Sequence, residues 1–342
     1  MRAVVYSHRG DPDVLTVIDR AATAPGPGEA QIRYHRSGVN PTDWKSRRDG
    51  GPVDPPQVPG QDGAGVVTAV GAGVDAALVG QRVWVWDAAF RRSEGTAQEV
   101  GTVPATQVVP LPDDASFDLG ASLGIPFLTA HRCLTVTDGG PTRLGPGTLQ
   151  DRVVLVAGGA GAVGNAAIQL ARWSDATVIS TVSSPAKAQL AVAAGADHVV
   201  NYRDDDAAEQ IRRVAPRGVH TIVEVSAAQN ARLDVAVAAH DASVAIYADD
   251  GGSDLVVPIR PSMGPNIRWQ FVLTYTMPHR AKRQAVTDVT AAVAAGVLRV
   301  GADAGLALHH FPLAETARAH TAVEDSVVGK VLIDVIEDGT PA

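Results

Sequence analysis

The chain has a single cysteine, Cys133, in 342 residues. One thiol excludes an internal disulfide framework and any zinc site assembled from several cysteines. No apolar run approaches the roughly 18 residues that a membrane-spanning helix needs. Met1-Arg2-Ala3-Val4-Val5 reads as the start of a strand, not as a secretory leader. A lysine- or arginine-rich block is also missing, and the formal net charge is −8. Binding to nucleic acid or to an anionic membrane therefore lacks electrostatic support. What is present is 45% apolar and 19% charged, the balance of a globular protein long enough for two cores. A cytoplasmic protein is expected.

The most informative stretch is Val153–Gly164, VVLVAGGAGAVG, which runs directly into NAAIQLARW. Val153–Val156 has the continuous β-branched character of a parallel strand buried on both faces. Gly158, Gly161 and Gly164 follow, then a helix-forming segment with no breaker. Strand, glycine turn and helix open a dinucleotide-binding βαβ unit, with the pyrophosphate at the helix N-terminus. A second strand, Thr177–Val182, begins roughly 20 residues later, where an NAD site carries its acidic ribose clamp. No acid stands there. Ser183, Ser184 and Lys187 follow instead, with Asn201-Tyr202-Arg203 further on. Hydroxyls and cations bind a 2′-phosphate that an acid would repel, which favours NADPH over NADH.

Residues 1 to about 122 read as short strands broken by Gly and Pro: Ala3–Tyr6, Val14–Ile18, Gln31–Val39, Gly65–Val70, Arg82–Trp86, Ala97–Val100 and Gln107–Pro110. From about Gly120 helices and strands alternate, which predicts an α/β doubly wound parallel sheet. The helices are expected at Ala121–Leu134, Ala166–Trp173, Lys187–Ala194 and 205–214, and later at His279–Ala295 and Leu313–Asp325. Val328–Val335 reads as a final strand.

Several short signatures occur in one order along nearly the whole chain. They are Gly38-Val39-Asn40-Pro41 with Asp43-Trp44-Lys45, Pro59-Gly60 with Ala64-Gly65-Val66-Val67, and Gly124-Ile125-Pro126 with Thr129-Ala130. The glycine turn, Ala194-Gly195-Ala196-Asp197 and Gly329-Lys330-Val331 complete the series. In these the chain resembles the zinc-free quinone oxidoreductase (zeta-crystallin-like) branch of the medium-chain dehydrogenases/reductases. The resemblance implies a GroES-like catalytic domain over residues 1–122 and a Rossmann NADPH-binding domain over 123–260. It further implies a C-terminal segment, 261–342, that packs back on the catalytic domain. The implied activity is NADPH-dependent reduction of a quinone by a homodimer. An enone or 2-alkenal reductase and a non-catalytic NADPH-binding redox sensor remain alternatives.

No metal is expected. Zinc enzymes of the superfamily carry a Cys where this chain has Val39-Asn40, and a His-Glu pair where it has Gln61-Asp62. Carried over from the family, Asn40 lies beside nicotinamide and substrate as an amide donor, and Lys45 stabilises a substrate oxygen by its charge. Both are candidate catalytic residues, and Asp43 is expected to orient a neighbour. For the cofactor, Gly161, Ala162, Val163 and Gly164 line the pyrophosphate through backbone contacts. Ser183, Lys187 and Tyr202 match the 2′-phosphate pocket, and Lys330 is carried over to the same phosphate region. Thr129, at the start of the interdomain helix, touches the nicotinamide amide or caps the helix. Two departures stand out. Residues 137–150 form a long Gly/Pro-rich link, expected to be a mobile loop. In Ala242–Asp250, ASVAIYADD replaces the usual glycine-rich turn and puts Tyr247, Asp249 and Asp250 near the family's cofactor path.

Overall fold

The computed structural model describes residues 1–204 and 206–336. In chain order the first elements are β1 (Arg2–Arg9), β2 (Thr16–Asp19), β3 (Glu29–Val39), α1 (Pro41–Arg48), β4 (Gly51–Gln57) and β5 (Asp62–Val70). Next come β6 (Arg82–Val85), β7 (Val100–Pro104), β8 (Val108–Pro110) and α2 (Phe117–Leu134). The middle of the chain holds β9 (Val153–Ala157), α3 (Ala162–Trp173), β10 (Thr177–Val182), α4 (Pro185–Ala194), β11 (His198–Asn201) and α5 (Ala207–Val214). It continues with β12 (Val219–Glu224), α6 (Ala227–Val237), β13 (Ala238–Ile246), α7 (Ile259–Met263), β14 (Arg268–Phe271) and α8 (His279–Ala294). The last elements are β15 (Leu308–Pro312), α9 (Thr316–Glu324) and β16 (Lys330–Asp334).

The chain divides into two compact units, one from Met1–Ile125 and the residues from Leu308 on, the other from Pro126–Ala307. In the first, a largely antiparallel sheet runs β15-β16-β3-β5-β6-β8, with β7 also paired to β3, and a smaller sheet runs β2-β1-β4. Its core includes Ile32, Tyr34, Val67, Val83, Val85 and Ile333. Inward and outward positions alternate along β3, as expected where one sheet face is buried. The helix α1 was not expected from the sequence, where residues 38–45 stood only as a short signature. Asn40 in extended conformation precedes it and Pro41 occupies its first turn, where a missing N–H costs nothing.

The second unit holds a six-stranded parallel sheet in the order β11-β10-β9-β12-β13-β14. The chain starts at β9, winds outward through β10 and β11, then returns to β12 on the other side. That reversal makes the carboxyl ends of β9 and β12 a topological switch point, where doubly wound sheets bind ligands. The core joins Leu155, Ile179, Ile211, Ile222 and Val244. Cys133 is buried here, and burial pushes its thiol pKa up, as expected of an inert core residue.

Three expectations are corrected. The unit boundaries fall at Ile125 and Ala307, not at 122 and 260, and residues 261–307 do not join the first unit. The reason is β14, a strand that the sequence did not announce, which pairs in parallel with β13 and keeps this segment with the sheet. Only the residues from Leu308 return to the first unit, and residues 337–342 of the expected C-terminal segment lie outside the described residues. The 137–150 link, expected to be mobile, is anchored at two points. Leu144 and Leu149 are buried, and the Leu144 N–H donates to Asp288 Oδ2 at 2.7 Å, an oxygen also within 2.7 Å of His131 Nε2. The expected helix start at residue 205 likewise lies outside the described residues; α5 begins at Ala207.

Candidate active site

In the first unit, the end of β3, the start of β5, the start of β16 and helix α2 converge on the side chain of Asn40. Asn40 Nδ2 donates to Asp62 Oδ2 at 2.7 Å, and Asn40 Oδ1 accepts from Lys330 Nζ at 2.8 Å. Lys330 also donates to the Val39 carbonyl at 3.0 Å. Asp62 accepts from the Ile125 N–H at 2.9 and 3.0 Å on its two oxygens. The Asn40 backbone N–H donates to Asp43 Oδ2 at 2.8 Å, the returning half of a capping box. Asn40, Asp62 and Lys330 are 3%, 0% and 1% exposed, so every charge here is paired away from water.

The sequence folds this way because β16 lies antiparallel to β3 with Val331 opposite Val39. That register places Lys330 beside Asn40. Gly124 in α2 allows the approach of Asp62, since a Cβ there would stand 2.0 Å from Asp62 Oδ1. Burial is the main electrostatic influence. It raises Asp62 to about 7, against the opposing pull of Lys330, Asn40 and the Ile125 N–H. It raises Asp43 to about 6, against its hydrogen bonds from Asn40 and Gly60 and the charge of Lys330. Burial lowers Lys330, while Asp62 and Asp43 act to raise it.

Lys330 therefore corrects the sequence reading. It was assigned to a phosphate region, yet its ammonium is enclosed and committed to Asn40 and Val39. Asp62 was missed as a site residue. Its signal was its place in Gln61-Asp62, noted only as a position lacking zinc ligands. Lys45 is exposed on α1, with its Nζ 5.8 Å from the Trp44 ring centre. It stands two residues, about 200° of helix, from buried Asp43.

In the second unit, α3 starts at the end of the β9 turn, with Gly161 as its N-cap and no side chain capping it. The first intrahelical bond is donated by Asn165 to Gly161, which leaves the N–H groups of Ala162, Val163 and Gly164 outside the helical ladder. A Cβ at Gly164 would lie 2.4 Å from the Gly158 carbonyl, so only glycine permits this close turn. Ser183 follows the carboxyl end of β10, and Tyr202 follows that of β11, with the Tyr202 N–H bonded to the Val182 carbonyl. Lys187 lies in the first turn of α4, which Ser184 caps by accepting the Lys187 N–H at 3.3 Å. These groups fit a dinucleotide with an added phosphate: free N–H groups for the pyrophosphate, and hydroxyls and a cation at the next strand ends. Thr129 lies in the interior of α2, not at its start, and its hydroxyl is hydrogen-bonded to that of Thr274. Tyr247 is half-buried and follows β13, its N–H donating to the Glu224 carbonyl at 3.1 Å, and Asp249 and Asp250 are exposed. Among the described residues no cluster of three or more His, Cys, Asp or Glu could hold a metal ion.

This combination of a β-rich unit and a doubly wound nucleotide-binding sheet matches known proteins along its length. Residues 26–113 match the alcohol dehydrogenase GroES-like domain, and residues 162–294 match the zinc-binding dehydrogenase model. Rat quinone oxidoreductase is 30% identical over 351 aligned positions, covering 97% of each chain. The rat synaptic vesicle membrane protein VAT-1 homolog is 33% identical over 230 residues, 66% of this chain and 53% of that protein. The chain thus spans about half the length of the curated VAT-1 relatives it matches. A mycobacterial protein solved in complex with NADPH is 29% identical with a TM-score of 0.80, over 97% of this chain and 99% of that one. The chain belongs to the medium-chain dehydrogenase/reductase family of oxidoreductases, in its zinc-free quinone oxidoreductase branch.

Proposed function

We propose that the protein is a metal-independent, NADPH-dependent quinone oxidoreductase, working as a homodimer in the cytoplasm. The observation that carries this reading is the buried Asn40 carboxamide, an uncharged donor held among charged partners. A quinone oxygen gains negative charge as its ring is reduced, and a fixed donor stabilises that charge without a metal. NADPH, when bound, supplies the hydride. The N–H groups of residues 162–164 hold its pyrophosphate, and Ser183, Lys187 and Tyr202 hold its 2′-phosphate. Asn40 donates to the substrate oxygen, and a proton from water completes the hydroquinone. The rat quinone oxidoreductase and the mycobacterial NADPH complex support the substrate class and the cofactor. The lone, buried cysteine suits a reducing compartment.

The test is oxidation of NADPH and of NADH by the purified protein, with para-benzoquinone, phenanthrenequinone and a short alkenal offered separately. NADPH-specific turnover of the quinones is expected. Turnover of the alkenal alone would move the substrate to enones and keep the cofactor. Tight NADPH binding without turnover of any of the three would replace the enzyme by a sensor.

A further inference from the structure

We propose that Lys330 and Asp62 are positioning residues that lock the Asn40 carboxamide in one orientation and aim its remaining amide hydrogen. The inference rests on the reading of Asn40 as the donor to the substrate oxygen. An asparagine side chain left to itself has two nearly equivalent settings, related by exchange of its oxygen and nitrogen. Here the two neighbours abolish that equivalence. An ammonium can only donate, and Lys330 Nζ stands 2.8 Å from Oδ1. Once ionised, the Asp62 carboxylate can only accept, and its Oδ2 stands 2.7 Å from Nδ2. Rotating the amide by half a turn would set an NH2 group against an ammonium and a carbonyl oxygen against a carboxylate. Both contacts would be repulsive in a pocket from which water is excluded.

The partners are themselves held. Lys330 is tied to the Val39 carbonyl, and Asp62 is tied to the Ile125 N–H. The third charged group facing the cluster, Asp43 on α1, fixes the Asn40 backbone through its N–H. With backbone, Oδ1 and one Nδ2 hydrogen committed, the second Nδ2 hydrogen is left without an acceptor among the described residues. A buried donor hydrogen without a protein partner calls for an explanation, and an acceptor atom on a bound ligand is the one the proposed reaction supplies. The two charges supply direction, and the neutral amide supplies the contact.

The experiment uses the full chain labelled with 15N-asparagine, of which there are five. In the parent, at a pH where Asp62 is ionised, the two Asn40 side-chain protons should resonate well apart and exchange slowly, the one facing Asp62 shifted downfield. In Lys330→Met they should move together and exchange faster, while the NADPH dissociation constant stays as in the parent. In turnover of para-benzoquinone, Lys330→Met should lower kcat about 100-fold, the effect of a reacting contact misplaced by an ångström, with KM for NADPH held. An Asn40→Ala/Lys330→Met double variant should be no slower than Asn40→Ala alone, because Lys330 acts through Asn40. Unmoved Asn40 resonances in Lys330→Met, or losses that multiply in the double variant, would overturn the proposal. Should Lys330→Met fail to fold, Asp62→Asn serves instead; it keeps the shape and an acceptor but not the exclusive polarity, so faster Asn40 exchange is expected and unchanged exchange is the overturning result. Full activity in Asn40→Ala would remove Asn40 from the reaction, whereas the resonances decide the lock by themselves.

Discussion

Asp62 is a carboxyl with 0% exposure whose charge is met by one ammonium and two N–H donors. Burial outweighs those partners and lifts its pKa to about 7, and burial lifts that of Asp43 to about 6. Both folded values lie above the unfolded value of roughly 4, so the native state binds protons that the unfolded chain releases. The stability that this contributes is complete below about pH 4 and is lost as the pH rises through the two folded values. In Asp62→Asn the fall in melting temperature between about pH 4 and 7 should be shallower than in the parent, in melts at constant ionic strength. Superimposable pH profiles would mean that Asp62 does not hold a proton in this range. At this scale the sequence was a partial guide. Asn40 could be picked out by its motif, but Asp62 looked like a position that had lost a ligand, because a pairing between residues 40 and 62 has no local signature.

At the scale of elements, the strand–glycine–helix unit was the most legible part of the chain. Val153–Ala157 stands where the pattern put it. Helix α3 follows the glycine turn but begins at Ala162, four residues before the expected Ala166, because the last glycine of the pattern already lies in its first turn. The helix α1 and the strands β4 and β14 were not anticipated. Each is short, and two contain proline, so tertiary pairing decided them. The element-scale prediction concerns α4, whose first turn carries Lys187. In Lys187→Ala the dissociation constant for NADPH should rise about tenfold, the loss of one charge-assisted hydrogen bond, while that for NADH stays constant. Calorimetric titration with each cofactor measures both. Equal weakening of the two would take Lys187 out of the phosphate pocket.

At the scale of the whole molecule, the described edge of the parallel sheet has consequences for assembly. The edge strand β14 ends in Phe271, which is 67% exposed, and Leu273, Ile259 and Met263 nearby are exposed as well. An exposed sheet edge flanked by apolar side chains pairs readily with another chain. If the protein is the proposed homodimer, this edge is the surface that closes it. A Phe271→Glu/Leu273→Glu variant should then sediment as a monomer at concentrations where the parent is dimeric. A variant that stays dimeric would place the interface elsewhere.

By itself the sequence determined the class of each unit: frequent turn residues and short strands for one, alternating strands and helices for the other. It also determined the glycine turn and the absence of an acid after β10, because these are properties of neighbouring residues. The tertiary structure alone decided where the chain returns from the parallel sheet, at Leu308 and not at 261, through the pairing of β14 with β13. It also decided that Lys330 faces Asn40 across 290 residues of chain. The antiparallel register of β16 on β3 joins the two, and with the charge enclosed there, the pocket keeps it only because Asp62 and the Asn40 carboxamide are present to receive it.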